Sequence, residues 1–104
     1  MTLEQVKTQI TEDIQKYPVI LFMKGDKSQP MCGFSAQVIQ ILTHLEVEFE
    51  TRNVLESDDL RQAIKEYSDW PTIPQLYING EFIGGCDITI ELFQSGELQK
   101  LLGK

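Results

Sequence analysis

The chain has 104 residues, one domain (1–104) by length, and 9 Lys+Arg against 16 Asp+Glu give a net charge of −7. A pI near 4.5 argues against a protein that grips nucleic acid by neutralising phosphates. No apolar run approaches the roughly 20 residues of a membrane span, and 2 cysteines, Cys32 and Cys86, are too few for a disulfide framework or a self-contained zinc site.

A hydrophobic fraction of 41% suffices for a packed core. The start, Met1-Thr2-Leu3-Glu4, lacks the basic and apolar regions of a secretory signal. The expected setting is the cytoplasm, or an organelle if a targeting peptide was removed.

Thr2 and Gln5 fit a capping box, and Leu3, Val6, Ile10, Ile14 and Tyr17 line one face of a first helix that Pro18 stops. Val19-Ile20-Leu21-Phe22-Met23 reads as a strand covered on both faces. After a polar loop over residues 24–31, a second helix starts near Cys32 or Gly33, with Phe34, Val38, Ile41, Leu42 and Leu45 as its apolar face. A second strand is expected over Val47 to Val54, then a third helix capped by Ser57 with a stripe of Leu60, Ala63, Ile64 and Tyr67.

Trp70-Pro71-Thr72-Ile73-Pro74 is a rigid connector. Leu76-Tyr77-Ile78 and Phe82-Ile83 flank the hairpin signal Asn79-Gly80. Asp87 is placed to cap a last helix carrying Ile88, Leu92 and Phe93, which Ser95-Gly96 interrupts before a short final turn with Leu98, Leu101 and Leu102. The order α-β-α-β-α-β-β-α implies an α/β fold: one parallel βαβ unit with a right-handed crossover, then an antiparallel hairpin. Together they form a mixed four-stranded sheet flanked by helices.

Cys32 follows a strand and a loop and opens a helix. A thiolate there meets unpaired N–H groups and the positive end of the helix dipole, which lowers its pKa. The other reading is a small hydrophobe at a helix end. Lys24, at the end of the first strand, can add positive charge. Cys86 is either a small buried residue or a partner for Cys32 under oxidation, although intracellular disulfides are mostly transient. His44 reads as solvated, and Trp70 and Tyr67 as packing residues.

Cys32-Gly33-Phe34-Ser35, Trp70-Pro71-Thr72-Ile73-Pro74-Gln75 and Gly84-Gly85-Cys86-Asp87 stand in the order found in monothiol, CGFS-type glutaredoxins, and the resemblance covers nearly the whole chain. It implies the thioredoxin-like fold. Ser35 stands where dithiol relatives have a second cysteine, and a hydroxyl cannot resolve a mixed disulfide by internal attack.

The resemblance further implies a homodimer bridged by a [2Fe–2S] cluster. Each chain's Cys32 supplies one thiolate, and two glutathione molecules complete the four. Lys24 and Arg61 are expected at the glycyl carboxylate. Ile73, before a cis Pro74, is expected along the cysteinyl unit and Cys86 and Asp87 at the γ-glutamyl end, with Thr72 also in the glutathione site and Gly84 and Gly85 easing the approach. Without the resemblance, each of these has a plain alternative as a solvated, capping or turn residue.

Expected partners are BolA-like proteins and apo iron–sulfur proteins, with neither nucleic acid nor membrane. The expected function is cluster transfer in iron–sulfur assembly. The alternative is a glutathione-dependent thiol–disulfide oxidoreductase acting through Cys32, weak at most as an enzyme. The stretch Gly25-Asp26-Lys27 departs from the family pattern, which often has a proline there. A freer loop with added charge near the site is expected.

Overall fold

A computed structural model describes residues 1–104. In chain order it contains α1 (Leu3–Lys16), β1 (Val19–Met23), α2 (Gly33–His44), β2 (Glu50–Asn53) and a 3-10 turn (Val54–Glu56). These are followed by α3 (Asp58–Ser68), β3 (Gln75–Ile78), β4 (Glu81–Gly84), α4 (Cys86–Ser95) and α5 (Glu97–Leu101). The sheet order is β2-β1-β3-β4, with β1 parallel to β2 and antiparallel to β3, and β3 antiparallel to β4. This is the mixed four-stranded sheet of the thioredoxin-like fold. No helix is long and apolar enough to cross a membrane.

The unbroken apolar run of β1 has a direct cause. Its alternating side chains enter two separate cores. Leu21 and Met23 pack on one face with Val38 and Leu42 of α2, Leu76 of β3 and Leu98 of α5. Ile20 and Phe22 pack on the other with Ile10 and Ile14 of α1, Ala63 and Ile64 of α3, and Tyr77. All five β1 residues are buried, so the strand's end at Lys24 is a fixed point from which the site is built.

The capping box of α1 is present, with Thr2 and Gln5 bonding each other's backbone N–H at 3.2 and 2.8 Å. Asn79 and Gly80 turn the hairpin with positive φ at both positions, 51° and 83°, the combination that a two-residue turn between twisted strands favours.

Several elements differ from expectation. The buried stripe of α2 runs through Ser35, Val38, Ile39 and Leu42. Phe34, one position and about 100° around the helix from Ser35, is 61% exposed. Tyr67 at the far end of α3 is likewise exposed.

β2 is shorter than Val47–Val54. Val47 and Phe49 pack on the core from the segment before it, and Val54 opens the 3-10 turn. The strand itself is Glu-Thr-Arg-Asn at the sheet edge. There Arg52 Nε lies 3.1 Å from the buried carboxylate of Asp13 on α1, an ion pair that apolar periodicity cannot reveal.

The N-cap of α4 is Gly85 and not Asp87, which lies within the first turn. The chain enters α4 through extended backbone at Gly85, so the carboxylate of Asp87 sits beside the helix's positive end without capping it.

The Ser57 cap of α3 is observed, its Oγ accepting the Leu60 N–H at 3.1 Å. Ser57→Ala is expected to cost about 1 kcal/mol. In a domain of this size that lowers the thermal midpoint by about 4–8 °C. Differential scanning calorimetry checks it, and an unchanged midpoint contradicts the assignment.

Candidate functional site

Cys32 is the N-cap of α2, held in extended backbone, with its C=O accepting the Ala36 N–H at 2.9 Å. Partial burial pushes its thiol pKa up. The backbone N–H groups of Ser35 and Phe34, the Ser35 hydroxyl and the charge of Lys24 outweigh burial, so the thiol lies below its ordinary value. This is the thiolate-stabilising geometry of a helix N-terminus.

Ser35 does more than fill the place of a second thiol. It is fully buried, its Oγ accepts the Lys24 N–H at 3.2 Å, and its hydroxyl supports the Cys32 sulfur. The side chain that cannot resolve a disulfide therefore joins the end of β1 to the start of α2.

The loop between them is not loose. Met31 N–H donates to Lys24 C=O at 2.9 Å, closing the loop at its base. Asp26 Oδ1 accepts from Ser28 N–H, Ser28 Oγ–H and Gln29 N–H at 3.0, 2.8 and 2.9 Å. Gly25 has φ +91°, and a Cβ there would stand 2.5 Å from Gln29 O. The charge of Lys27 is turned onto the Phe49 ring, 4.6 Å from its centroid. The expectation of a freer loop with extra charge at the site is thus corrected, because Asp26 supplies in hydrogen bonds the restraint that proline would supply in its ring.

Cys32 opens onto a groove of about 530 Å³. Lys24, Arg61, Thr72, Ile73, Pro74, Gly85, Cys86 and Asp87 line it with Cys32, so the fold brings together every residue singled out in the sequence for this site except Gly84. Phe34, Lys65, Trp70, Pro71 and Ile88 complete it. Lys65 was legible as the residue one helical turn after Arg61 and therefore on the same face. Trp70 serves both readings: its ring packs 5.8 Å from that of Phe82 and also borders the groove. His44 is not among the lining residues and stands edge-on to Phe93.

Lys24, Arg61 and Lys65 place three cations in the groove, and none takes part in an ion pair. Asp87 is the one carboxylate in the lining. On an acidic chain this is a local reversal of sign.

The Ile73–Pro74 bond is cis. Among backbone hydrogen bonds outside the regular elements, none uses the N–H or C=O of Ile73. Gly85 passes so close to the connector that a Cβ would stand 3.2 Å from Pro74 O. Gly84 has a different role from the one expected. Its φ is +143°, and a Cβ would stand 2.8 Å from Ile88 Cδ1, so the missing side chain admits α4 and no ligand.

The two cysteines are free and opposite in character. Cys86 is buried, and its thiol donates to Gln37 Oε1 at 2.9 Å. Burial, and then the charges of Asp87 and Cys32, push its pKa up. No group of three or more His, Cys, Asp or Glu side chains is placed to hold a metal ion.

Comparison with known proteins agrees with this geometry. The glutaredoxin family profile matches residues 19–83. A chloroplastic monothiol glutaredoxin of Arabidopsis thaliana is 56% identical over 100 residues, 96% of this chain. The chain spans 58% of that relative's length. A probable monothiol glutaredoxin of Rickettsia conorii is 58% identical over 93 residues, covering 89% of this chain and 87% of its own. The solution structure of reduced poplar apo GrxS14 superposes with a TM-score of 0.88 at 54% identity, covering 99% of this chain and 95% of that one. The chain belongs to the glutaredoxin family, in its monothiol branch.

The thiolate account makes an ordered prediction. In alkylation of Cys32 followed against pH, Ser35→Ala and Lys24→Gln both shift the midpoint upward, Ser35→Ala by more. The sign follows because each change removes a group that favours the thiolate. A midpoint unmoved in both variants contradicts the account.

Proposed function

We propose that this protein binds glutathione in the Cys32 groove and, as a homodimer, carries a [2Fe–2S] cluster as cargo to apo iron–sulfur proteins. The carrying observation is one stabilised thiolate without a resolving partner, facing a groove with unpaired cations. The donor set fits the cargo: a soft thiolate suits an iron–sulfur cluster, which takes four such ligands. One chain supplies one. A second chain's Cys32 and the thiols of two glutathione molecules supply the others, and two exchangeable ligands suit release.

Glutathione fits the groove by charge and by backbone. Lys24 and Arg61 face its glycyl carboxylate, with Lys65 beside them. Ile73 offers a free N–H and C=O to the cysteinyl unit, a strand-addition contact. The first turn of α4, at Cys86 and Asp87, meets the γ-glutamyl end, with backbone N–H groups for the carboxylate and the Asp87 carboxylate for the amine. A BolA-like protein is the proposed alternative mate for the Cys32 face. The reading requires a reducing compartment, the cytoplasm or an organelle interior, in which Cys32 stays a thiol.

The lowered Cys32 thiol also supports a second reading, removal of glutathione from protein thiols. The Cys32 thiolate attacks the glutathionyl sulfur of a protein mixed disulfide and releases the protein thiolate. A free glutathione thiolate then attacks the Cys32-bound glutathionyl sulfur, returning the Cys32 thiolate and leaving oxidised glutathione.

Anaerobic reconstitution with iron, sulfide and glutathione, followed by visible absorption, separates the two. The carrier reading expects a cluster in the wild type, lost in Cys32→Ser and lost when glutathione is omitted. Cluster formation without glutathione contradicts it. Fast turnover of a glutathionylated substrate by a protein that assembles no cluster favours the second reading. Raising salt from about 0.1 M to about 1 M shortens the screening length from about 10 to about 3 Å, so glutathione affinity should fall severalfold in calorimetry. A salt-independent affinity contradicts the role given to Lys24 and Arg61.

A further inference from the structure

The Trp70–Pro74 connector forms one wall of the groove, yet it lies outside helix and strand and contains two prolines that donate no hydrogen bond. The side-chain hydrogen bonds to its carbonyls all come from one residue. Gln75, at the first position of β3, is fully buried. Its Nε2 donates to Trp70 O at 3.1 Å and to Thr72 O at 3.2 Å. Its Oε1 accepts the Tyr77 hydroxyl at 3.0 Å. The amide orientation follows from chemistry, since two backbone carbonyls can only accept.

Tyr77 is in turn held by rings, edge-on to Phe22 of β1 at 5.7 Å and tilted against Phe82 at 5.3 Å. A continuous path therefore runs from the central strand through Tyr77 and Gln75 to the connector. Both carbonyls that Gln75 restrains belong to residues lining the groove, and Ile73, with its free backbone groups, is the next residue after Thr72.

We infer that Gln75 is a positioning residue for the ligand. It fixes the connector so that the Ile73 backbone is presented to the cysteinyl unit before the ligand arrives, lowering the ordering cost of binding. No other side chain of this size meets the demand. Glutamate lacks the two donors, and methionine has the length but no donor. The inference rests on glutathione being the ligand, and it is separable from that reading because Trp70, the single tryptophan of the chain, reports the connector directly.

The test compares Gln75→Met and Tyr77→Phe with the wild type in three measurements: glutathione affinity by calorimetry, acrylamide quenching of Trp70, and the pH profile of Cys32 alkylation. Gln75→Met removes both donor bonds. It is expected to weaken glutathione binding by about tenfold or more and to increase Trp70 quenching, with the Cys32 profile unchanged. The Cys32 profile is set by α2 and Lys24, so a general loosening of the site would move it and a local release of the connector would not.

Tyr77→Phe removes the brace on Oε1. It is expected to shift binding and quenching in the same direction by a smaller factor, and it carries the test if Gln75→Met does not fold. Affinity and quenching at wild-type values in the folded variants overturn the inference, as does a parallel shift of the Cys32 profile. If the wild type itself fails to bind glutathione, the ligand reading falls, and Trp70 quenching still decides whether Gln75 fixes the connector.

Discussion

A single sulfur atom at the first turn of α2 sets the terms for the rest of the molecule. Its charge is stabilised only where two backbone N–H groups, a buried hydroxyl and a lysine converge. Each of these comes from a different constraint. The N–H groups exist because α2 begins there. Ser35 is buried because it falls on the core face of α2. Lys24 is in place because β1, buried on both faces, ends immediately before it. The loop between strand and helix is closed at its base and tied by Asp26, so strand end and helix start hold a fixed relation.

The groove adds a division of labour between two thiols. Cys32 is lowered and partly exposed. Cys86 is raised, buried and hydrogen-bonded to Gln37, so its sulfur is a poor nucleophile while its backbone begins α4. On the proposed function, one usable thiolate per chain falls short of a four-thiolate cluster, and an external thiol and a second chain would supply the rest. The three unpaired cations along the groove are a local anion site on a chain of net charge −7.

Much of this was legible in the sequence where the signal was local or periodic. The capping box of α1, the Pro18 stop, the doubly covered strand, the Asn79-Gly80 turn and the Ser57 cap all depend on neighbours within a few residues. The lining of the groove was legible through the three motifs and their family resemblance, and the motif residues do converge. Some of what was missed depends on partners distant in sequence, and some on local bonds and helix phase that motifs and apolar periodicity do not specify. Asp13 is buried because Arg52 meets it from β2. Phe34 is exposed because the stripe of α2 passes through Ser35 instead. Gly84 serves Ile88, and Asp26 restrains a loop that a missing proline suggested was free. Gln75 stood inside a recognised motif, yet its function depends on two carbonyls and a hydroxyl whose convergence only the fold reveals.

The central claim is that the cargo-bearing unit is defined by a count of thiolates. Native mass spectrometry of the anaerobically loaded protein measures that count directly. The account predicts two chains, one [2Fe–2S] cluster and two glutathione molecules in a single species. A cluster held by one chain, or by two chains without glutathione, would contradict it.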